Sequence, residues 1–143
     1  MKQYFEVPGE PKGKARARTF YHKNAGKVVS MTPEDTVLYE NLIKTAFAES
    51  CKGRYFNKEP LEVYITAFFP IPKSTSKKNR TLMLEDKLLP TKKPDSDNIA
   101  KVICDALNGV AYGDDTQIVK LVVNKRYTAE EPKVIVYIDK FNW

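Results

Sequence analysis

Five aspartates lie close together in the segment KPDSDNIAKVICDALNGVAYGDDTQI, which runs from Lys93 to Ile118. They are Asp95, Asp97, Asp105, Asp114 and Asp115. The segment has no glutamate, and the chain around it has a formal net charge of +6 at pH 7. Crowded carboxylates repel one another, and the repulsion is relieved if they share a divalent cation or meet a partner such as Lys101. An acidic cluster in a basic protein therefore indicates metal-assisted chemistry on a polyanion.

Each of these aspartates also has a purely structural interpretation. An aspartate that precedes a helix often caps it, so Asp95 or Asp97 is expected to accept N–H groups at a helix start. Asp97 and Lys101 are four residues apart, the spacing of an ordinary ion pair on a solvated helix face. Asp114 and Asp115 occur in a sequence that is typical of a tight turn. The spacing leaves both interpretations open.

The positive charge is concentrated in two segments outside the acidic cluster. Their basic residues are Lys12, Lys14, Arg16 and Arg18 in the first and Lys77, Lys78 and Arg80 in the second. Lysine and arginine neutralise phosphates, and aromatic side chains such as Phe20 and Tyr21 in the first segment stack on exposed bases. The pattern therefore predicts DNA contacts, with solvated polar loops as the alternative.

Length and composition favour one domain. A chain of 143 residues fits a single domain over residues 1–143 that buries roughly two-thirds of its unfolded surface. The N-terminus lacks the apolar run of a signal peptide, and no stretch approaches the roughly 18 apolar residues that span a bilayer. We therefore expect a cytoplasmic protein without membrane contact. With Cys51, Cys104 and the single His22, a zinc cage or a histidine-dependent nucleophile triad is not expected, and both cysteines are predicted to pack in the core.

The hydrophobic pattern predicts the elements that must position the cluster. QYFEVPG near the N-terminus is typical of a strand. A helix is predicted to begin with Thr32 as its N-cap and Pro33 at its first position, and to end at Gly53. The segment 61–69, LEVYITAFF, predicts a second strand, and a short helix is predicted over Leu82 to Lys87.

A central helix carries the first part of the cluster. Its predicted apolar face consists of Ile99, Val102, Ile103, Ala106 and Leu107. Asp97, Lys101 and Asp105 recur at four-residue intervals on another face, so one face packs and the other is charged. Asn108 and Gly109 are expected to end this helix, and IVKLVVNKRY and PKVIVYIDKF predict two closing strands.

These elements predict one small α/β domain of mixed α+β type. The order is β-α-β-α-β-β, with a mixed sheet of about four strands covered by two main helices. The path from the central helix to the next strand is short. Only the tertiary fold can bring Asp114 or Asp115 back beside Asp95 and Asp97, and spacing along the chain does not establish that it does.

The acidic segment resembles the RusA-type Holliday junction resolvases. The family pattern is DxDN, a lysine three residues after that asparagine, a DAL segment and a later DDxQ element. Here KPDSDNIAKVICDALNG is followed by YGDDTQI, and VPGEPKGKARAR also resembles the basic N-terminal segment of the family. The resemblance covers most of the chain, but the connection from Lys73 to Lys92 has no confident counterpart.

The resemblance implies a magnesium-dependent endonuclease, with manganese as a substitute metal. Asp95, Asp97 and Asp115 correspond to the catalytic, metal-binding carboxylates of the family, and Lys101 corresponds to its functional lysine. The implied substrate is a four-way junction or other branched DNA, which a homodimer resolves by paired symmetric nicks in recombination and repair. A bacterial or prophage-encoded protein of the cytoplasm is implied.

Two other functions stay open from the residues alone. A noncatalytic DNA-binding module would use the same basic segments, and its aspartates would be caps and turns. A magnesium-dependent nucleotide phosphohydrolase is disfavoured because the chain has no GxxxxGK[ST] loop to cradle phosphates.

Overall fold

The chain forms a mixed sheet, a separate two-stranded ribbon and helices that pack on the sheet. The computed structural model describes residues 2–16, 18–22, 26–31 and 33–142. In chain order the elements are β1 (Gln3–Pro8), β2 (Arg18–His22), β3 (Lys27–Met31), α1 (Glu34–Cys51), β4 (Leu61–Pro70), α2 (Lys77–Leu84), α3 (Ser96–Leu107), a 3₁₀ turn (Asp115–Gln117), β5 (Ile118–Thr128) and β6 (Lys133–Lys140).

The four-stranded sheet has the order β1-β6-β4-β5. The strands β4 and β5 are parallel, with Val63 opposite Leu121 and Ile65 opposite Val123. A parallel pair needs a long crossover connection, and the segment with α2 and α3 provides it. The pairs β1–β6 and β4–β6 are antiparallel. This crossover places α3 beside the start of β5.

Alternation along the strands decides which face of the sheet is covered. In β4, the side chains of Leu61, Val63, Ile65, Ala67 and Phe69 are buried, and those between them stay partly exposed. Helix α1 contacts β1 and α3, and the predicted apolar face of α3 is fully buried. The two helices thus share one core with the covered face. Both cysteines are free and buried, as predicted.

The predicted fold class is confirmed: the structure is a single small α+β domain with a four-stranded mixed sheet. In the described residues, no helix is long and apolar enough to cross a membrane.

The segment after the first strand differs from the loop that its basic composition predicts. Residues 18–22 and 27–31 form an antiparallel ribbon of β2 and β3, with Phe20 opposite Val29. The side chains of Tyr21 and Val28, which lie opposite each other in the ribbon, are each 63% exposed.

Two helix boundaries also differ from the prediction. Helix α2 lies at Lys77–Leu84, earlier than predicted, because the Ser76 hydroxyl accepts a hydrogen bond from the Asn79 N–H and caps the start. Helix α1 begins at Glu34, after Pro33, and the predicted cap Thr32 lies outside the described residues.

Candidate active site: an acidic groove beside a basic loop

A groove of about 400 Å³ lies between α3 and the start of β5. Asp97, Lys101 and Asp105 of α3 line one wall, and Asp115 lies across from them. The rest of the lining is Ala100, Cys104, Ile118 and Leu121. This acidic groove therefore collects three carboxylates and one ammonium group over an apolar floor.

The return of Asp115 to α3 depends on a buried turn after the helix. Tyr112 is fully buried, and its hydroxyl donates a 2.7 Å hydrogen bond to the carbonyl oxygen of Cys104 in α3. The Phe56 N–H donates to the carbonyl oxygen of Ala111 at 2.8 Å, which fixes the same turn from the α1–β4 connection. The chain is thus folded back along the last turns of α3 before it reaches Asp115.

The electrostatic surroundings of Asp115 favour its protonated form. Partial burial is the main cause that raises the pKa of the Asp115 carboxyl, followed by a contact with the Asp114 carboxyl and the negative charge of Asp105. A carboxylate that is held beside other carboxylates is stabilised by a cation, so these surroundings favour cation binding.

A second groove, of about 680 Å³, lies at the start of α3. Its lining is Lys12, Gly13, Lys14, Ala15, Arg16, Lys93, Pro94, Asp95 and Asn98. The Lys14 N–H donates a 2.9 Å hydrogen bond to the carbonyl oxygen of Asn98, so the N-terminal basic loop, residues 11–16, is attached to the first turn of α3. This basic groove therefore places cations next to the DSDN motif.

Lys14 also connects the basic loop to the acidic groove. Its ammonium nitrogen lies 3.2 Å from Glu40 Oε2 and 3.4 Å from Asp105 Oδ2. The Lys14 side chain is only 21% exposed in this arrangement. Lys14 thus neutralises part of the charge of Asp105 and joins α1, α3 and the loop.

The structure supports the purely structural interpretation, as a cap or an ion pair, for some of the aspartates and not for others. Asp95 is the N-cap residue of α3, but its side chain accepts no capping hydrogen bond. Within the described residues, Asp97 and Lys101 do not form an ion pair with each other. Asp114 does cap the 3₁₀ turn, because its carboxylate accepts from the Thr116 N–H at 3.3 Å. Capping and pairing therefore explain Asp114 but neither Asp95 nor Asp97.

Comparison with known proteins agrees with the acidic motif. The sequence matches the family model of endodeoxyribonuclease RusA over residues 8–139. The chain belongs to the RusA family. It is also 35% identical over 136 residues to the uncharacterized protein YqaN of Bacillus subtilis (strain 168), and that match covers 94% of this chain and 93% of YqaN. The predicted family is confirmed, and membership implies a nuclease of the Holliday junction resolvase type that acts on branched DNA.

The residues of the RusA motif are divided between the two grooves. Asp97, Lys101 and Asp115 line the acidic groove, whereas Asp95 lines the basic groove. Asp105, to which the sequence assigned no role, shares the acidic groove with them. Its spacing of four residues from Lys101 placed it on the same predicted face of the helix, although no site role was assigned to it.

The predicted DNA-binding residues lie in two places. Lys12, Lys14 and Arg16 line the basic groove, and Lys77, Lys78 and Arg80 are exposed on α2. The backbone of Arg18 begins β2, but its side chain lies outside the described part of the chain. Their contacts with DNA stay a prediction.

The donor groups of the acidic groove bear on the metal that the RusA motif predicts. Within the described ranges, no three His, Cys, Asp or Glu side chains lie close enough together to hold a metal ion. Magnesium, however, commonly binds through one or two carboxylates and completes its coordination with waters and substrate phosphates. Asp97 and Asp115 supply hard oxygen donors in one open groove, so the donor chemistry fits magnesium.

Proposed function

We propose that this RusA-family protein is a magnesium-dependent, structure-selective endodeoxyribonuclease. Its substrate would be a four-way junction or other branched DNA, resolved by paired symmetric nicks in recombination and repair. The observation that supports the proposal is the acidic groove, which holds Asp97, Lys101 and Asp115 beside a basic groove. A binding module that needed its aspartates only as caps and turns would not explain Asp97.

The residues of the chain divide the chemical work. Asp97 and Asp115 would hold magnesium, or manganese in its place. The motif predicts Asp95 as a third metal-binding carboxylate, and in this structure Asp95 lines the neighbouring basic groove. When bound, the metal supplies a Lewis acid and a water of lowered pKa. Lys101 is exposed at the same groove, and its ammonium group would stabilise the negative charge that develops on the scissile phosphate.

Two basic surfaces would hold the DNA backbone. Lys12, Arg16 and Lys93 line the groove beside Asp95, and cations there neutralise phosphates with an affinity that falls as salt rises. Helix α2 places Lys77 and Lys78 in its first turn, where the positive end of the helix dipole repels their positive charges. Such an arrangement costs stability unless an anion is near, which supports a phosphate contact for α2.

A homodimer suits this substrate. A four-way junction has approximate two-fold symmetry and needs two matching nicks, whereas the described chain provides one acidic groove of this composition. We therefore propose that two copies act together, in the cytoplasm of a bacterium.

The proposal predicts the behaviour of two aspartate variants. With magnesium and a synthetic four-way junction labelled on each strand, the native protein should make paired symmetric nicks. Asp97→Asn and Asp115→Asn should each lower the cleavage rate by about 100-fold or more, because each removes a hard ligand without changing size. Gel retardation without metal should show native binding in both variants.

A matched control uses an acidic residue outside the grooves. Glu131→Gln removes an exposed carboxylate from the turn between β5 and β6 and should cut like the native protein. If the native protein binds junctions but cuts none with magnesium or manganese, the noncatalytic DNA-binding function replaces this one. Turnover of free nucleotides without DNA cutting would instead favour the phosphohydrolase.

A further inference from the structure

The side chain of Gln117 lies at the centre of the loop that carries Asp115. Its Oε1 atom accepts hydrogen bonds from the N–H groups of Gly113 and Asp114, each at 3.0 Å. Its Nε2 atom donates to the carbonyl oxygens of Asn57 and Glu59, the latter at 3.1 Å. One amide group thus makes four hydrogen bonds, two through each end.

These bonds join two parts of the chain that are distant in sequence. Asn57 and Glu59 belong to the connection between α1 and β4, and they precede Gln117 by 60 and 58 residues. In the chain, Asp115 lies between Asp114 and Gln117. The N–H of Asp114 donates a hydrogen bond to the Gln117 side chain. The loop position of Asp115 is therefore fixed against a remote segment of backbone.

Other hydrogen bonds close the same short loop. The Gln117 N–H donates to the carbonyl oxygen of Asp114 at 3.0 Å, and Thr116 N–H donates to the Asp114 carboxylate. A Cβ added at Gly113 would lie only 3.2 Å from the Tyr55 hydroxyl oxygen and 3.3 Å from Gln117 Oε1. The loop has little room to move while the Gln117 amide stays in place.

Only glutamine satisfies all four partners of this amide. Glutamate has the same length but has no N–H to donate to the two carbonyl oxygens and would repel them. Methionine has a similar length and no amide at all. Asparagine keeps the amide but is one methylene shorter, so it does not reach both sides from the same backbone position.

We infer that Gln117 is a positioning residue that sets the place of Asp115 in the acidic groove. This inference rests on the proposed function, in which Asp115 binds magnesium. Gln117 acts through the backbone of Gly113 and Asp114 and not through the substrate. A displacement of about 1 Å in a reacting group can slow catalysis by about 100-fold, so the loss of the amide should affect turnover more than DNA binding.

The test compares Gln117→Met, which removes all four hydrogen bonds, with Gln117→Glu, which keeps the acceptor and removes the donors. Single-turnover and steady-state cleavage of a four-way junction should show kcat lowered by about 100-fold in Gln117→Met, with KM for the junction within about two-fold. Gln117→Glu should also lose kcat. Thr116→Ala, an exposed neighbour whose side chain makes no hydrogen bond in the described residues, is the control and should match the native protein.

Two further readouts do not depend on cleavage. Hydrogen exchange at the Gly113 and Asp114 amides should accelerate at least about ten-fold in Gln117→Met, because their shared acceptor is gone. Calorimetric titration with Mn²⁺ alone should show weaker binding in both variants than in the native protein and in Thr116→Ala. If Gln117→Met does not fold, Gln117→Glu decides.

The inference is overturned if kcat stays within about three-fold of native while the two amides exchange freely, or if the loss appears only in KM. Equal Mn²⁺ affinity in all four proteins would also overturn it. Failure of the native protein to cut any junction would refute the proposed function instead, and the Mn²⁺ titrations would still decide the role of Gln117.

Discussion

At the scale of single residues, Asp115 has unfavourable electrostatic surroundings for a free carboxylate. Partial burial, the contact with Asp114 and the charge of Asp105 all raise the pKa of its carboxyl. The ammonium group of Lys14 lies near Asp105, but within the described residues no ion pair reaches Asp115. Unfavourable charge at a functional site is an expected cost when that charge binds a cation in the working protein.

This geometry predicts a pH-dependent stability that Asp115→Asn removes. A raised pKa means that the folded state keeps its proton to higher pH than the unfolded state. The native free energy of unfolding should therefore fall as pH rises from the ordinary carboxyl value of 3.8 through the raised pKa of Asp115. Above that range, Asp115→Asn should be more stable than native, although the proposed function predicts that this variant does not cut.

Urea denaturation of both proteins in metal-free buffer between about pH 4 and about pH 7 measures this difference. Glu131→Gln serves again as the control and should follow the native curve. Parallel curves for native and Asp115→Asn would show that Asp115 is not destabilised in the folded state.

At the scale of elements, the contact between the basic loop and α3 joins the two grooves. The loop is attached at the first turn of α3 by the hydrogen bond from Lys14 N–H to Asn98, and further along by the ion pair with Asp105. Gly13 allows the approach: a Cβ there would lie 2.9 Å from Asn98 Cβ and 3.0 Å from Pro94 Cβ. Glycine is thus required here by space.

Gly13→Ala should displace the basic loop from the start of α3. We expect the free energy of unfolding to fall by about 1 to 3 kcal/mol, as in other overpacked sites, and junction binding to weaken because the basic groove is distorted. Urea denaturation and gel retardation measure the two effects. Glu131→Gln, outside both grooves, should change neither. Native-like behaviour of Gly13→Ala would show that the loop does not depend on this contact.

At the scale of the whole molecule, the described residues provide one acidic groove of this composition, whereas the proposed function requires two matching nicks. The proposed homodimer predicts that mixed dimers of native protein and Asp97→Asn cut one strand only. On a supercoiled plasmid with an extruded cruciform, the native protein should give linear product, and the mixture should accumulate nicked circles. Light scattering should show a dimer at assay concentrations. The opposite result is an amount of linear product that follows the fraction of native protein in the mixture, with no increase in nicked circles. That result would contradict paired action by two subunits.

The sequence determined much of the architecture, because the relevant information is local. Alternation in β4 and β6 and the helical period of α3 are properties of neighbouring residues, and these elements lie where the patterns predict them. The spacing of DxDN, Lys101 and DDxQ likewise indicated the family without any coordinates. The β2–β3 ribbon was not predicted, because the basic composition of its segment indicated a loop.

The tertiary structure alone decided which of the motif residues share a groove. Asp97 and Asp115 line the same groove because Tyr112 and the α1–β4 connection fold the chain back along α3, whereas Asp95 lines the groove beside the basic loop. Two of the four hydrogen bonds of Gln117, those to the carbonyl oxygens of Asn57 and Glu59, span 60 and 58 residues. Contacts over such separations arise from chain packing rather than from local preference, so no pattern of neighbouring residues could have specified them.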